Sequence, residues 1–110
     1  MVADCTSAPP YRLSARPASI TLACADDGLG VGKMTWNSWA ASTATGRGML
    51  WEKLCHPNCA EGKIGSYPVD VTLSAVKSSP SGPWFSRLTV AFQGQRPPGT
   101  LPSSFALMRP

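Results

Sequence analysis

The residues with the most chemistry in them are four cysteines, one histidine and a group of tryptophans. Cys55, His56 and Cys59 stand together in CHPNC, and Trp36, Trp39 and Trp51 fall in the same stretch, Thr35 to Gly62. The cysteines could hold zinc or form disulfides, and spacing separates the two. Structural zinc sites pair their ligands as C-x2-C and add a second such knuckle. Cys55 and Cys59 are framed C-x3-C, and Cys5 and Cys24 supply no second knuckle. Disulfides are therefore expected, Cys5 with Cys24 and Cys55 with Cys59 out of the three pairings that four cysteines permit, with no metal and no cofactor. A bridge from i to i+4 needs the chain to turn back, because the Cα atoms of a disulfide lie about 4.4–6.8 Å apart, and Pro57-Asn58 is turn chemistry.

His56 reads as an exposed turn residue. Its catalytic alternative is a small hydrolase in which it works with Asp70 or Glu61, and that chemistry requires a base, an orienting group and a nucleophile in one cleft. No nucleophile-elbow motif accompanies it, so no catalytic residue is assigned. Trp39 and Trp51 have a second use as stacking platforms for a sugar ring or an aromatic ligand, and together with His56 they form the candidate binding set. The segment GLGVGK invites comparison with a phosphate-binding loop, but Gly32-Lys33 is followed by Met34 and position 27 is aspartate, so the motif fails twice. It is expected to be a turn-rich loop.

Charge and composition narrow the setting. Ten basic against six acidic residues give a formal charge of +4, scattered without a run of like sign, which favours anionic surfaces in general and excludes a clustered nucleic-acid footprint. Disulfides point to an oxidising compartment, hence secretion or the cell envelope. No apolar run approaches the ~20 residues that span a bilayer, and no signal segment is present, so the chain is expected to be a form from which a signal peptide has been removed.

These residues must be positioned by strands. Glycine 10 and proline 11 out of 110 residues punctuate short runs of β-branched and aromatic residues, which leaves little room for long helices. One all-β domain over residues 1–110 is expected, an antiparallel β-sandwich or barrel of about six or seven strands with two disulfides. Residues 1–16 read as an extended N-terminal arm and 94–110 as a loop-rich C-terminal segment with a short closing strand. Period-two runs at Ile20, Trp36, Met49, Val69 and Leu88 mark the strands. The expected core is Ile20, Leu22, Trp36, Leu50, Val69, Val71, Leu73, Leu88, Val90 and Phe92. Trp36 and Trp39, three apart, should face opposite sides of one strand. Trp84, Ser86, Leu88, Val90 and Phe92 should share a face. Gly46 and Gly48 suggest a bulged or bent strand, and Pro68 suggests an edge or a strand start.

The motifs RPASITLAC, ADDG, MTWNSW, ATGRG, CHPNCAEG, SYPVDVTLS and WFSRLTV, in this order from about Arg16 to Val90, resemble a group of small exported or envelope-associated proteins of actinobacteria. The resemblance implies export, disulfides and a soluble envelope or extracellular location, and it carries over no catalytic residues. The functional expectation is a non-catalytic binding module whose partner is an envelope glycan, an anionic polymer or another protein. The small hydrolase built on His56 is the alternative.

Overall fold

A computed structural model describes residues 1–3, 11–23, 28–53, 64–96 and 102–110. The four cysteines, His56 and Glu61 lie outside the described residues, so the disulfide pairing and the histidine site do too. The described chain is all-β and antiparallel. Eight strands, β1 (Val2–Ala3), β2 (Leu13–Ser14), β3 (Ile20–Thr21), β4 (Leu29–Trp39), β5 (Ala44–Lys53), β6 (Ile64–Lys77), β7 (Trp84–Phe92) and β8 (Ser104–Ala106), form two sheets. β1 pairs with β2, and the other six form one meander in sequence order, curled into a half-barrel. The count exceeds the expected six or seven because the shortest strands have only two residues and show no periodicity.

The core lies inside the curl and follows the alternation of the long strands. Across the sheet, Ile20 pairs with Val31, Val31 with Leu50 and Leu50 with Tyr67, so four buried residues form one inward row. Val69, Val71, Leu73, Leu88 and Val90 are buried as the period-two pattern requires. Leu22, Trp36 and Phe92, also expected in the core, are half-buried and pack against it. Val2, Val31, Ala44, Tyr67 and Phe85 join the core beyond that expectation. Val2 enters from the N-terminal arm, which is held by the β1–β2 pairing and by a bond from the Phe85 N–H to the Met1 carbonyl (2.8 Å).

β4 departs most from its sequence reading. GLGVGK is not a loop: it begins the strand, with Val31 fully buried. Trp51 is the reason. It pairs with Gly30, and its ring lies so close over Gly30 and Gly32 that a side chain on Gly30 would collide with it. These glycines serve close packing within a strand rather than a turn.

Two bulges interrupt β4. Between the pairs Gly32–Met49 and Thr35–Arg47, two β4 residues face the single Gly48, with Lys33 in the left-handed region (φ 49°). Between Trp36–Gly46 and Ser38–Thr45, Asn37 is the extra residue. Each bulge reverses the alternation, so Val31, Met34, Trp36 and Trp39 all face inward. The expectation that Trp36 and Trp39 point to opposite sides is thereby corrected. Gly46 and Gly48 do not bulge β5, whose pairing with β6 is unbroken. They leave space for Trp36 and Met34 on the neighbouring strand.

The expected face of β7 also needs correction. Leu88, Val90 and Phe92 hold it, but Phe85 rather than Trp84 enters the core cluster. Opposite Ser86, Ala75 takes φ 55°, and its carbonyl accepts a bond from Ser86 Oγ, so regular alternation stops there. Pro68 lies within β6, a central strand, next to the point where pairing with β7 ends at Val69–Phe92. It therefore sits at neither an edge strand nor a strand start: its carbonyl still accepts a bond from the Gln93 N–H (3.1 Å), and having no N–H to return, it ends the β6–β7 ladder there.

The β6–β7 connection is the expected six residues, Ser78–Pro83. It is closed by bonds from the Gly82 N–H to the Ser79 carbonyl (2.9 Å) and from Ser79 Oγ to the Gly82 carbonyl (2.7 Å). Gly82 sits at φ 116°, which side chains other than hydrogen rarely tolerate.

Candidate functional site

The ends of β4, β6 and β7 form an apolar groove of about 280 Å³. Trp39 closes one wall. Val76, Pro83, Trp84 and Phe85 form the other, and Met1 with the alanines after Trp39 completes the rim. Trp39 reaches this position because the Asn37 bulge turns it inward and its partner Ala44 is small. Its ring is wedged edge-on between Trp36 (centroids 5.0 Å apart, planes at 85°) and Phe85 (5.5 Å, 90°). Such T-shaped contacts contribute about 0.5–1.5 kcal/mol each beyond burial and leave the ring little freedom. Trp36 is itself tied down by a bond from Nε1–H to the Pro17 carbonyl (2.9 Å).

Two polar features bear on the groove. The indole N–H of Trp84 is buried without an acceptor. Leaving such a donor unpaired costs on the order of 1–3 kcal/mol. The α-amino group of Met1 is held below its ordinary value of 8.0 by desolvation. Among the described residues the groove is lined by apolar side chains, an arrangement that can bind apolar groups.

The structure brings Trp39 to this site and leaves Trp51 elsewhere. Trp51 lies on the outer side of the sheet, seven residues along β5 from Ala44, the partner of Trp39. At strand rise that is about 24 Å. The face of Trp51 that lies over Gly30 and Gly32 is taken up by packing. Asp70, named for the hydrolase alternative, is on the outer face. There its Oδ1 accepts from Arg47 Nε (3.2 Å) and Gln93 Nε2 (3.1 Å). Among the described residues no group of three or more histidines, cysteines or carboxylates could hold a metal, and no helix is long and apolar enough to cross a membrane.

Val76, Trp84 and Phe85 were not candidates in the sequence. Val76 ends a long alternating run and Trp84-Phe85 follows a proline loop, a pattern that carries no sign of a groove. The exposure of Val76, 39%, is the signal that only the coordinates supply. No protein-family profile, curated protein or solved structure matches this chain.

Proposed function

We propose that this chain is a non-catalytic binding module of an exported or cell-envelope protein, and that the groove at Trp39 receives an apolar side chain presented by an extended segment of a partner protein. The lining carries the reading. Its side chains are almost wholly apolar and its polar surface is the smaller part, so a sugar bound there would leave most of its hydroxyls without partners, at about 1–3 kcal/mol for each one buried. An apolar anchor instead gains roughly 25 cal/mol per Å² removed from water. The volume suits a single large side chain and falls just below the ~300–1,000 Å³ of small-molecule pockets.

The extracellular setting rests on the proposed Cys5–Cys24 and Cys55–Cys59 disulfides and on the resemblance to small exported actinobacterial proteins. Non-reducing peptide mapping should recover both linked pairs; free thiols or stoichiometric zinc would exclude them.

The groove is tested by selecting displayed peptides on the disulfide-intact protein and measuring their affinity for Val76→Asp and Trp39→Ala variants. Selected peptides should share one large apolar residue, bind independently of salt and lose at least tenfold in affinity to Val76→Asp, whose exposed site leaves the fold intact. Peptides that bind both variants as tightly as the parent, or a turnover abolished by replacing His56, would displace this reading.

A further inference from the structure

The outer, convex side of the sheet carries a feature unrelated to the groove. Reading across the register, Ser38 pairs with Thr45, Thr45 with Thr72, Thr72 with Thr89 and Thr89 with Ser104. Five hydroxyl-bearing residues thus stand side by side on five consecutive strands, β4 to β8. All alternate with core residues and so face solvent, and all are half-buried or exposed. Strand spacing of about 4.8 Å sets the pitch, and the row runs for roughly 20 Å perpendicular to the strands. Ser38 Oγ and Thr45 Oγ1 are 2.8 Å apart, a hydrogen bond that joins the first two members of the row.

The rows on either side carry charged residues. Two residues along the strands lie Arg47 and Asp70, joined as described. On the other side lie Ser74 and its cross-strand partner Arg87, whose side chain is exposed and in no ion pair among the described residues. This face therefore offers hydroxyl donors and acceptors at a regular pitch, with one unneutralised guanidinium at its flank.

We infer that the row Ser38–Thr45–Thr72–Thr89–Ser104, with Arg87, binds an extended acidic polysaccharide lying across the strands. A sugar chain presents hydroxyls at a repeat similar to the strand pitch, and each can both donate to and accept from a Ser or Thr hydroxyl. A uronate carboxylate pairs with Arg87 through charge-assisted, bidentate bonds. The net charge of +4 favours the approach of an acidic over a neutral polymer. No aromatic ring belongs to these rows, so recognition comes from hydrogen bonding and charge. The inference is independent of the groove, which lies on the concave side.

The probes are an oligogalacturonate and a neutral galactan oligomer of equal length, titrated into the full chain by calorimetry and by amide chemical-shift mapping. Oligogalacturonate should bind more tightly, with shifts centred on Thr45, Thr72, Thr89 and Arg87. Arg87→Gln should lower its affinity about tenfold, the order expected for a charge-assisted pair, and erase the preference for the acidic chain. Arg109→Gln, the same charge change on an exposed arginine outside the rows, should have less than a twofold effect. The triple variant Thr45→Val, Thr72→Val, Thr89→Val keeps the β-branched shape and should lose binding of both oligomers at an unchanged melting temperature.

Equal losses from Arg87→Gln and Arg109→Gln would reduce the effect to net charge and overturn the inference. So would shifts confined to the groove, or loss of glycan binding on Val76→Asp. Absence of binding to either oligomer by the parent protein would overturn it as well. Should the triple variant fail to fold, the chemical-shift map and the arginine pair decide.

Discussion

Trp36 and Trp39 stand on the same inward side of β4, ring centroids 5.0 Å apart and nearly perpendicular, because Asn37 is an extra residue with no counterpart on β5. Pairing with β5 therefore decides whether Trp39 belongs to the groove or to the outer surface. Deleting Asn37 removes the extra residue and leaves Trp36 opposite Gly46 and Trp39 opposite Ala44, so both rings should stay inward and the exciton couplet of the tryptophan pair in circular dichroism should persist. Asn37→Ala should keep the couplet too. A deletion variant that lost it would show that pairing with β5 does not set the face of Trp39.

The close packing of Trp51 on glycine predicts unequal costs for one added methyl. Gly30→Ala meets the Trp51 ring and also the Ile20 carbonyl oxygen at 2.6 Å, a backbone atom that cannot move away. It should cost on the order of 1–3 kcal/mol and should not be rescued by Trp51→Ala. Gly32→Ala first meets Trp51 Cζ3 at 3.2 Å, so its smaller cost should be relieved in the same double variant. Denaturant melts of the two cycles measure both coupling energies. Full rescue at Gly30 would contradict the backbone contact.

Core and surface substitutions should separate widely. Leu88 is fully buried between Leu73 and Phe105, and Leu88→Ala should cost about 2–5 kcal/mol. Arg47→Ala breaks an ion pair between exposed side chains and should cost less than about 1 kcal/mol, a difference that salt diminishes further. Urea melts at low and high salt test both. A large salt-resistant loss at Arg47 would mean that the ion pair holds the sheet together.

The depressed Met1 amine predicts a small pH effect with a definite sign. Desolvation lowers its folded-state value below the ordinary 8.0, so between the two values the unfolded chain binds more protons than the folded one. Stability should then rise with pH through that window and level off above 8.0. Acetylating the amine should abolish the slope. Thermal melts of both forms measure it, and a slope of opposite sign would exclude the desolvated amine as its source.

Much of the sheet was legible in the chain itself. The alternation of Tyr67, Val69, Val71 and Leu73 needs no partner to be read, because successive side chains on a strand face opposite sides. The same holds for Leu88, Val90 and Phe92, and the proline–glycine punctuation between such runs marked an all-β antiparallel domain. β4 was not legible in this way. Its inward residues, Val31, Met34, Trp36 and Trp39, are spaced three, two and three apart, and neither a strand nor a helix has that period. A bulge is a mismatch between two strands, so only pairing with β5 defines it. The glycines of GLGVGK likewise read as a loop until Trp51, some twenty positions away, covers them.

Of the candidate site, sequence supplied Trp39 as a residue type and the tertiary structure supplied its surroundings. Val76, Pro83 and Trp84 meet Trp39 only because the meander curls and β1 braces the start of β7. The hydroxyl row is the complementary case. Each of its residues was an ordinary polar position in an alternating strand, and their alignment exists only in the register of four strand pairs. Local alternation sets which side chains face outward; the hydrogen-bonded register decides which of them stand next to one another.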